Sequence, residues 1–390
     1  MNPPRAVSAA DYTDRMPAPL LSPDAGLDPA WPEYADSVRA ALLGGALGDA
    51  LGGRASSGPR SRSAAAGADA LAEAADGTAV LRISDATQLT LYTLDALQEV
   101  VEWANQGHGA DETACLWLAY LRWLGTQGER HPAEAPRPLP RPIDEHEVLH
   151  AVREPDGTVL AALRSGRMGE VERPLQPEAK GAGPVLRSSP FGLLPHVGWR
   201  TLAPLAINGA ALTHGHPEAQ TAAAVQGFVV HAAVRARREG LPRPVAAAVA
   251  AARETAGNLT RPVAETLARL EDAVRAAMRE DPDPAALDRL LGAGGAAPET
   301  LAGGLGAALR AEAEAPGAGD PQAVFRRAVE LATAGTGHPG AAGAIAGAVT
   351  GAALGTAALP PEWRARLDAG DVVSETAERW LREVGAPPAA

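Results

Sequence analysis

The amino-acid sequence predicts an all-α protein that folds as a single compact domain of many helices. Along most of the chain, apolar residues recur at the three- and four-residue intervals of a buried helical face. No run of alternating β-branched residues predicts a strand, and no linker cleanly divides the chain. With 390 residues the chain can bury a large core, so we expect one many-helix domain.

The limits of the predicted elements follow from proline, acidic and glycine residues at segment ends. Residues 1–30 are rich in Pro, Ala and Asp without periodicity, so we expect a disordered lead-in before a helical domain over 31–390. In the first half of the chain we predict helices over 38–51, 84–101, 111–124 and 159–165, a loop over 52–77 and a Pro-broken surface excursion over 128–150. In the second half we predict helices over 202–213, 217–238, 244–256, 263–279, 284–291, 299–314, 321–334, 343–358 and 374–384.

Two of these segments carry glycine at every fourth position. The series are Gly44, Gly48 and Gly52 near the N-terminus, and Gly343, Gly347, Gly351 and Gly355 near the C-terminus. On a helix this spacing leaves one stripe without side chains, against which another backbone can lie. Each interior glycine costs about 1 kcal/mol of helix propensity relative to alanine. We therefore expect the two helices to pack closely, which would offset that cost.

Composition narrows the classes of partner. The formal net charge is −12, which disfavours nucleic acid and anionic membranes as partners. The single cysteine, Cys115, excludes an internal disulfide and is typical of a reducing compartment. No apolar stretch behind a basic start predicts a signal peptide. Residues 331–361 carry no formal charge, but Pro339 interrupts them, so we expect a buried helix rather than a membrane span, in a cytoplasmic protein.

The segment THGHPEA at 213–219 contains two closely spaced histidines. His214 and His216 could form half of a metal site. The alternative is a helix start, with Pro217 at the first helical position and Glu218 in the first turn. The pattern favours the helix start.

Four segments in order resemble the motifs of the ADP-ribosylglycohydrolase family. They are GGALGDALG at 44–52, ISDATQLTLYT at 83–93, KGAGPVLRSSPFGLL at 180–194 with THGHPEA after it, and GHPGAAGAIAG at 337–347. Each motif alone is weak, but all four occur in the family's order on a chain predicted to be helical. The resemblance spans about residues 38–381.

The resemblance implies cleavage of the N-glycosidic bond between ADP-ribose and a modified side chain, often arginine. It also implies two Mg²⁺ ions between the segment at 84–87 and the segment at 338–342. Hard divalent cations prefer carboxylate and hydroxyl oxygens, so paired acids from two segments suit such a centre. The resemblance makes ADP-ribose, or an ADP-ribosylated substrate, the expected partner.

The metal motifs depart from the family pattern at their acidic positions. Where the family has S/T-D-D-T, this chain has Ser84, Asp85, Ala86 and Thr87. Where the family has G-D-S-D-S-T, this chain has Gly337, His338, Pro339, Gly340, Ala341 and Ala342. Three of the four expected metal carboxylates are therefore absent, and we expect Mg²⁺ binding to be weak or absent. His338 suits a softer ion such as Zn²⁺ better than Mg²⁺.

The candidate site residues follow from the same resemblance. Candidate catalytic residues are Asp85 and Asp49; candidate metal ligands are Ser84, Asp85 and Thr87, with His338 as a further candidate; and candidate substrate-binding residues are Gly48, Gly181, Gly183, Arg187, Ser188, Ser189, Gly337 and Gly340. Arg187 could pair with a pyrophosphate or hold its loop from inside, and both interpretations stay open. Asp156 or Glu154 could replace a missing acid.

Three functions remain open on the sequence alone. The first is an ADP-ribose N-glycosidase whose metal site is impaired or rebuilt. The second is a protein that binds ADP-ribose or a related nucleotide without cleaving it, as a sensor or regulator. The third is a scaffold that keeps only the helical fold. The missing acids favour an impaired or non-catalytic member.

Overall fold

The computed structural model describes residues 19–57, 79–278, 295–315, 319–334 and 338–388, and within these ranges the regular structure is helical. The α-helices, numbered in chain order, are α1 Pro32–Ser57, α2 Asp85–Asn105, α3 Glu112–Thr126, α4 Gly157–Arg164, α5 Gly183–Leu186, α6 Ser189–Gly192, α7 Trp199–Ala211, α8 Pro217–Arg238, α9 Pro244–Ala256, α10 Ala264–Ala277, α11 Ala297–Glu314, α12 Pro321–Thr333, α13 Pro339–Leu354, α14 Pro361–Arg364 and α15 Gly370–Glu383. Short 3₁₀ turns lie at Pro142–Glu145, Glu147–His150 and Thr356–Ala358. The expected all-α fold in one compact domain is confirmed.

Helices α1 and α13 pack with their backbones almost touching, as the glycine spacing predicts. A Cβ atom placed on Gly44 would lie 2.4 Å from the carbonyl oxygen of Gly347, and one on Gly48 would lie 1.9 Å from that of Gly343. The reciprocal positions on α13 are equally tight, at 2.0 Å for Gly347 and 2.3 Å for Gly343. Gly48, which is also a candidate substrate-binding residue, therefore packs against the backbone of α13.

The limits of α13 differ from the prediction at both ends. The helix begins at Pro339, four residues before the expected start, because proline at the first helical position lacks only an amide that would have no helical partner. It ends before Gly355, whose φ of 82° lies in the left-handed region. Gly355 therefore terminates the helix, and the glycine stripe stops at Gly351.

Several other predicted limits shift. Helix α1 continues to Ser57, into the segment predicted as a loop, and the helix predicted over 284–291 lies outside the described residues. Residues 19–30, expected within the disordered lead-in, pack against the domain: Leu20, Leu21 and Leu27 are buried, and Leu27 pairs with Pro195. Residues 1–18, the rest of the predicted lead-in, lie outside the described residues.

The core lies around α8, the most completely buried long helix. Most of its residues are buried, and its neighbours include α7, α9 and α13. His216 caps the start of α8 by accepting a hydrogen bond from the Glu218 amide at 3.2 Å, which confirms the helix-start interpretation of this segment. No helix among the described residues is long and apolar enough to cross a membrane.

Candidate functional site

Helices α2 and α13 both begin beside Asp49 on α1. The carboxylate of Asp49 is buried and accepts three hydrogen bonds from the start of α2. Its Oδ1 accepts from the Ser84 hydroxyl at 2.7 Å, and its Oδ2 accepts from the Ser84 amide at 2.8 Å and from the Thr87 hydroxyl at 2.5 Å. Burial raises the pKa of Asp49 even though these bonds lower it. Asp49 thus binds helix α1 to the N-terminus of α2.

The first turn of α13 lies on the other side of Asp49. A Cβ atom on Gly52 would lie 2.3 Å from the carbonyl oxygen of Pro339, so the two backbones leave no room for a side chain there. A Cβ atom on Gly340 would lie 3.7 Å from Oδ1 of Asp49 and 3.4 Å from the Gly53 amide nitrogen. The structure therefore brings Gly340 next to Asp49. Gly337 lies outside the described residues.

Asp85, the first residue of α2, contacts a different segment. Its Oδ2 accepts a hydrogen bond from the backbone amide of Asp156 at 2.9 Å. Burial raises the pKa of the Asp85 carboxyl to about 6, and the nearby carboxylates of Asp49 and Asp156 add to the rise. A carboxyl group with this pKa can both accept and donate a proton near neutral pH.

Asp156 caps helix α4 and faces a buried histidine. Its Oδ1 accepts from the Thr158 amide at 2.7 Å, which leaves Oδ2 directed toward Nε2 of His214, 3.8 Å away. Two glycines allow the backbone to pass close to this histidine. A Cβ atom placed on Gly181 would lie 3.3 Å from Nε2 of His214, and one placed on Gly183 would lie 3.2 Å from Cε1 of His214. The loop that holds these two candidate glycines therefore lies over His214.

A hydrogen bond on the other side of the ring engages Nδ1 of His214. Nη2 of Arg187 donates to the Thr213 hydroxyl oxygen at 2.7 Å, and that hydroxyl lies 2.8 Å from Nδ1 of His214. The Thr213 hydroxyl group thus bridges Arg187 and the ring. Burial, with Arg187 nearby, lowers the pKa of His214 to about 3 and keeps the ring neutral. The other ring nitrogen, Nε2, is a buried atom without a hydrogen-bond partner among the described residues.

Arg187 and the two serines after it serve the interior. The Arg187 guanidinium is buried, lies 4.9 Å from the centre of the Tyr120 ring and bonds to the Thr213 hydroxyl. These contacts match the internal one of the two interpretations left open for Arg187, although they are to a hydroxyl group and an aromatic face rather than to an acid. Ser188 donates to the Pro184 carbonyl at 2.6 Å, and Ser189 accepts from Gln226 at 3.1 Å, so both hydroxyls are also engaged inside.

The residues at the family's metal positions do not suit a two-ion Mg²⁺ centre. The hydroxyl groups of Ser84 and Thr87 donate to Asp49, which uses both of its oxygens. Ala86 offers no oxygen from its side chain, and the His338 side chain is exposed. Within the described ranges, no group of three or more His, Cys, Asp or Glu side chains is placed to hold a metal ion. Mg²⁺ needs several oxygen ligands in near-octahedral array, and this set does not supply them twice.

Sequence motifs do not indicate every member of this site. They make Asp156 only one of two acids that could replace a missing ligand, and they favour a helix start over a ligand role for the segment that holds His214. A signal for Asp156 exists in the segment PDGT at 155–158, since aspartate before glycine and threonine is typical of a helix N-cap. The two histidines of THGHPEA indicate His214 only as half of a possible metal site, and no local signal indicates its contact with Asp156, which comes from a distant segment.

These features define a class: an all-helical protein with a site where acidic groups, a buried histidine and the N-terminal ends of helices meet. The chain belongs to the ADP-ribosylglycohydrolase family, whose model matches residues 30–389. This family acts on ADP-ribosylated substrates and is generally metal-dependent.

A solved structure titled "ADP-ribosylglycohydrolase-related protein complex" has a similar fold. Its TM-score is 0.53 at 21% sequence identity, and the match covers 90% of this chain and 99% of that chain. At this identity the likeness describes the fold alone. No curated protein matches the chain.

Proposed function

We propose that this protein binds ADP-ribose or an ADP-ribosylated group at the site formed by Asp85, Asp156 and His214. We further propose that it is impaired in, or lacks, cleavage of the N-glycosidic bond by a two-metal centre. The observation that carries the proposal is the hydrogen bonding of Asp49. Its two carboxylate oxygens are satisfied by Ser84 and Thr87, which are themselves candidate ligands. The chain thus joins these groups to one another where the family would join them to ions.

The remaining groups suit recognition of a nucleotide sugar. Carboxylate oxygens accept hydrogen bonds from ribose hydroxyl groups, and Oδ2 of Asp156 has no hydrogen-bond partner among the described residues. The Nε2 atom of His214 is buried without a hydrogen-bond partner among the described residues, so it suits a polar group of the ligand. An unpaired buried polar group costs about 1–3 kcal/mol, so a ligand that bonds to it gains affinity.

A second candidate function is slow hydrolysis without a two-metal centre. The raised pKa of Asp85, about 6, favours it, because one carboxyl group can then exchange a proton at neutral pH beside a second acid, Asp156. In that reaction Asp85 would take a proton from a water molecule, the water oxygen would bond to the anomeric carbon of the ribose as the bond from that carbon to the side-chain nitrogen breaks, and the proton would pass from Asp85 to the leaving nitrogen. Scaffold-only function is the third candidate and requires no ligand.

Calorimetry with ADP-ribose, in EDTA and in Mg²⁺, separates these functions. We expect binding in both buffers, with no release of ADP-ribose from ADP-ribosylated arginine. Release of ADP-ribose that depends on Mg²⁺ would overturn the proposal. Release in EDTA that Asp85→Asn abolishes would support slow hydrolysis, and no binding of ADP-ribose would support the scaffold-only function. Mg²⁺ alone should leave the melting temperature almost unchanged, and a clear rise would contradict the proposal.

A matched pair of variants places the ligand at this site. Asp156→Asn should weaken ADP-ribose binding about tenfold, since it removes a charge beside His214. Asp111→Asn is the control, because Asp111 also caps a helix, accepting from the Ala114 amide at 2.9 Å, but belongs to α3. Equal losses of affinity in both variants would argue against a ligand at Asp156.

A further inference from the structure

A line of polar side chains runs along one face of α2 and ends in the candidate site. Successive members are three, four or seven residues apart, so they share one face of the helix, and between the first and the last the helix rises about 26 Å. The line consists of Asp85, Gln88, Tyr92, Asp95 and Glu102. Each of these side chains bonds to residues 141–156, which begin within the excursion predicted over 128–150 and end at Asp156 in the candidate site.

At the far end, Arg141 anchors this segment. Its Nε donates to Asp95 at 3.0 Å, and its Nη1 and Nη2 donate to Glu102 at 2.8 and 3.0 Å. Arg122 on α3 also donates to Asp95, at 2.6 Å. Asp95 is almost fully buried, and its carboxylate forms ion pairs with Arg122 and Arg141, which replace the hydration that burial removes.

In the middle, Tyr92 and Gln88 continue the contact. The Tyr92 hydroxyl donates to Oδ1 of Asp144 at 3.0 Å. The side-chain amide of Gln88 donates to the carbonyl oxygens of Leu149 at 3.3 Å and Ala151 at 2.9 Å. Gln88 is fully buried, and its own oxygen accepts from Trp123 at 3.0 Å, so its orientation is fixed on both sides.

At the near end, the segment delivers Asp156 to Asp85. Arg153 donates to the Ile83 carbonyl at 3.1 Å and to Asp368 at 2.7 Å, which fixes the chain three residues before Asp156. Glu154 follows with a φ of 52°, a left-handed conformation that is uncommon outside glycine and persists where neighbours hold it. The Asp156 amide then reaches Asp85 at 2.9 Å.

We propose that Gln88 is a positioning residue: by holding the carbonyl groups of Leu149 and Ala151, it sets where Asp156 lies against Asp85 and His214, and so sets ligand affinity. Gln88 itself does not face His214; it acts through the chain between Ala151 and Asp156. Its role in affinity rests on the proposed function, whereas its role in positioning does not.

Hydrogen exchange and calorimetry on the full chain test the proposal. Gln88→Met keeps the length of the side chain but removes both donors. We expect amide exchange in a peptide covering 147–156 to become about tenfold faster, and ADP-ribose affinity to fall about tenfold. The matched control is Gln226→Met, another fully buried glutamine, whose side-chain amide donates to Ser189 on α6, away from residues 141–156 in the chain.

A second pair of variants guards against general destabilisation. Tyr92→Phe removes only the hydroxyl group that bonds to Asp144, and should give the same two changes at smaller size. Its control is Tyr34→Phe, which removes a buried hydroxyl group bonded to the Leu193 carbonyl at 2.7 Å.

The outcomes are separable. Unchanged exchange at 147–156 in Gln88→Met would overturn the positioning role, and so would equal changes in the Gln226→Met control. Faster exchange with unchanged affinity would overturn the role of Gln88 in ligand affinity. If the wild-type protein binds no ADP-ribose, the proposed function fails, but the exchange measurement still decides whether Gln88 holds Asp156.

Discussion

Ser84 donates two hydrogen bonds to the carboxylate of Asp49, one from its backbone amide at 2.8 Å and one from its hydroxyl group at 2.7 Å. Ser84 is also the N-cap of α2, and its hydroxyl oxygen accepts from the Ala86 amide at 3.1 Å. One residue thus caps a helix and fastens it to another helix. This arrangement stabilises the start of α2 with a side chain at the position where the family's ions would bind.

Asp49→Asn should destabilise the protein by about 2 kcal/mol near neutral pH. An asparagine oxygen at the Oδ2 position can still accept from the Ser84 amide and the Thr87 hydroxyl, but its NH₂ group would replace the Oδ1 atom that accepts from the Ser84 hydroxyl. That buried hydrogen bond would then be lost. Urea denaturation measures the change, and an unfolding free energy equal to that of the wild type would show that these hydrogen bonds contribute nothing net.

Asp85→Asn should change the pH dependence of stability. Burial raises the folded-state pKa of Asp85 from 3.8 to about 6, so the ionised form is disfavoured in the folded protein. The wild type therefore has this contribution in full below about pH 4 and loses it as pH rises through about 6. The shift corresponds to about 3 kcal/mol.

Asparagine does not titrate and still accepts from the Asp156 amide, so stability of Asp85→Asn relative to the wild type should rise between about pH 4 and pH 7 and then stay level. Chemical denaturation of both proteins across this range measures the difference. A difference that stays constant with pH, or that falls, would contradict the raised pKa.

Gly48→Ala should destabilise the protein by about 3 kcal/mol, because the new methyl group would meet the Gly343 carbonyl oxygen at 1.9 Å and force α1 and α13 apart. Gly53→Ala is the control: it lies in the same helix with no atom within 4 Å of the added Cβ, and alanine there gains up to about 1 kcal/mol of helix propensity. Thermal denaturation compares the two. Similar effects of both substitutions would argue against the close backbone contact.

The features that the sequence predicts best depend on residues that lie close together in the chain. Glycine at every fourth position sets the stripe on α1 and α13, and proline at the first helical position marks the start of α8, α9 and α12. The start of α13 differs from its prediction because Pro339 opens that helix rather than breaking it, as the same residue type does in the other three helices.

The features that sequence does not predict depend on distant segments. Asp85 and Asp156 are 71 residues apart in the chain, and nothing local to either indicates their contact. For Arg187 the motif leaves a ligand contact and an internal contact both open, and the contacts seen are with the Tyr120 ring and the Thr213 hydroxyl. A guanidinium group can bind a phosphate or stack on an aromatic face, so residue type alone does not decide between them.

Restoring the missing oxygen ligands should create Mg²⁺ binding. The variant combines Ala86→Asp, His338→Asp, Gly340→Asp and Ala342→Thr. Position 340 is suitable, since a Cβ atom there lies 3.7 Å from Oδ1 of Asp49 without overlapping the backbone of Gly53. Three added carboxylates beside Asp49 and Asp85 should repel one another, so the variant without metal should be less stable than the wild type.

Mg²⁺ should reverse this loss in the restored variant alone. A ligand at one hundred times its dissociation constant stabilises the folded state by about 2.7 kcal/mol, so the melting temperature should rise with Mg²⁺ concentration. The control replaces each new Asp by Asn, with Ala342→Thr retained; it has similar side-chain volume but no added charge, and its melting temperature should ignore Mg²⁺. If Mg²⁺ also leaves the melting temperature of the restored variant unchanged, the segments at 84–87 and 338–342 do not lie close enough to share an ion. The missing carboxylates would then not be the reason that this site lacks a two-metal centre.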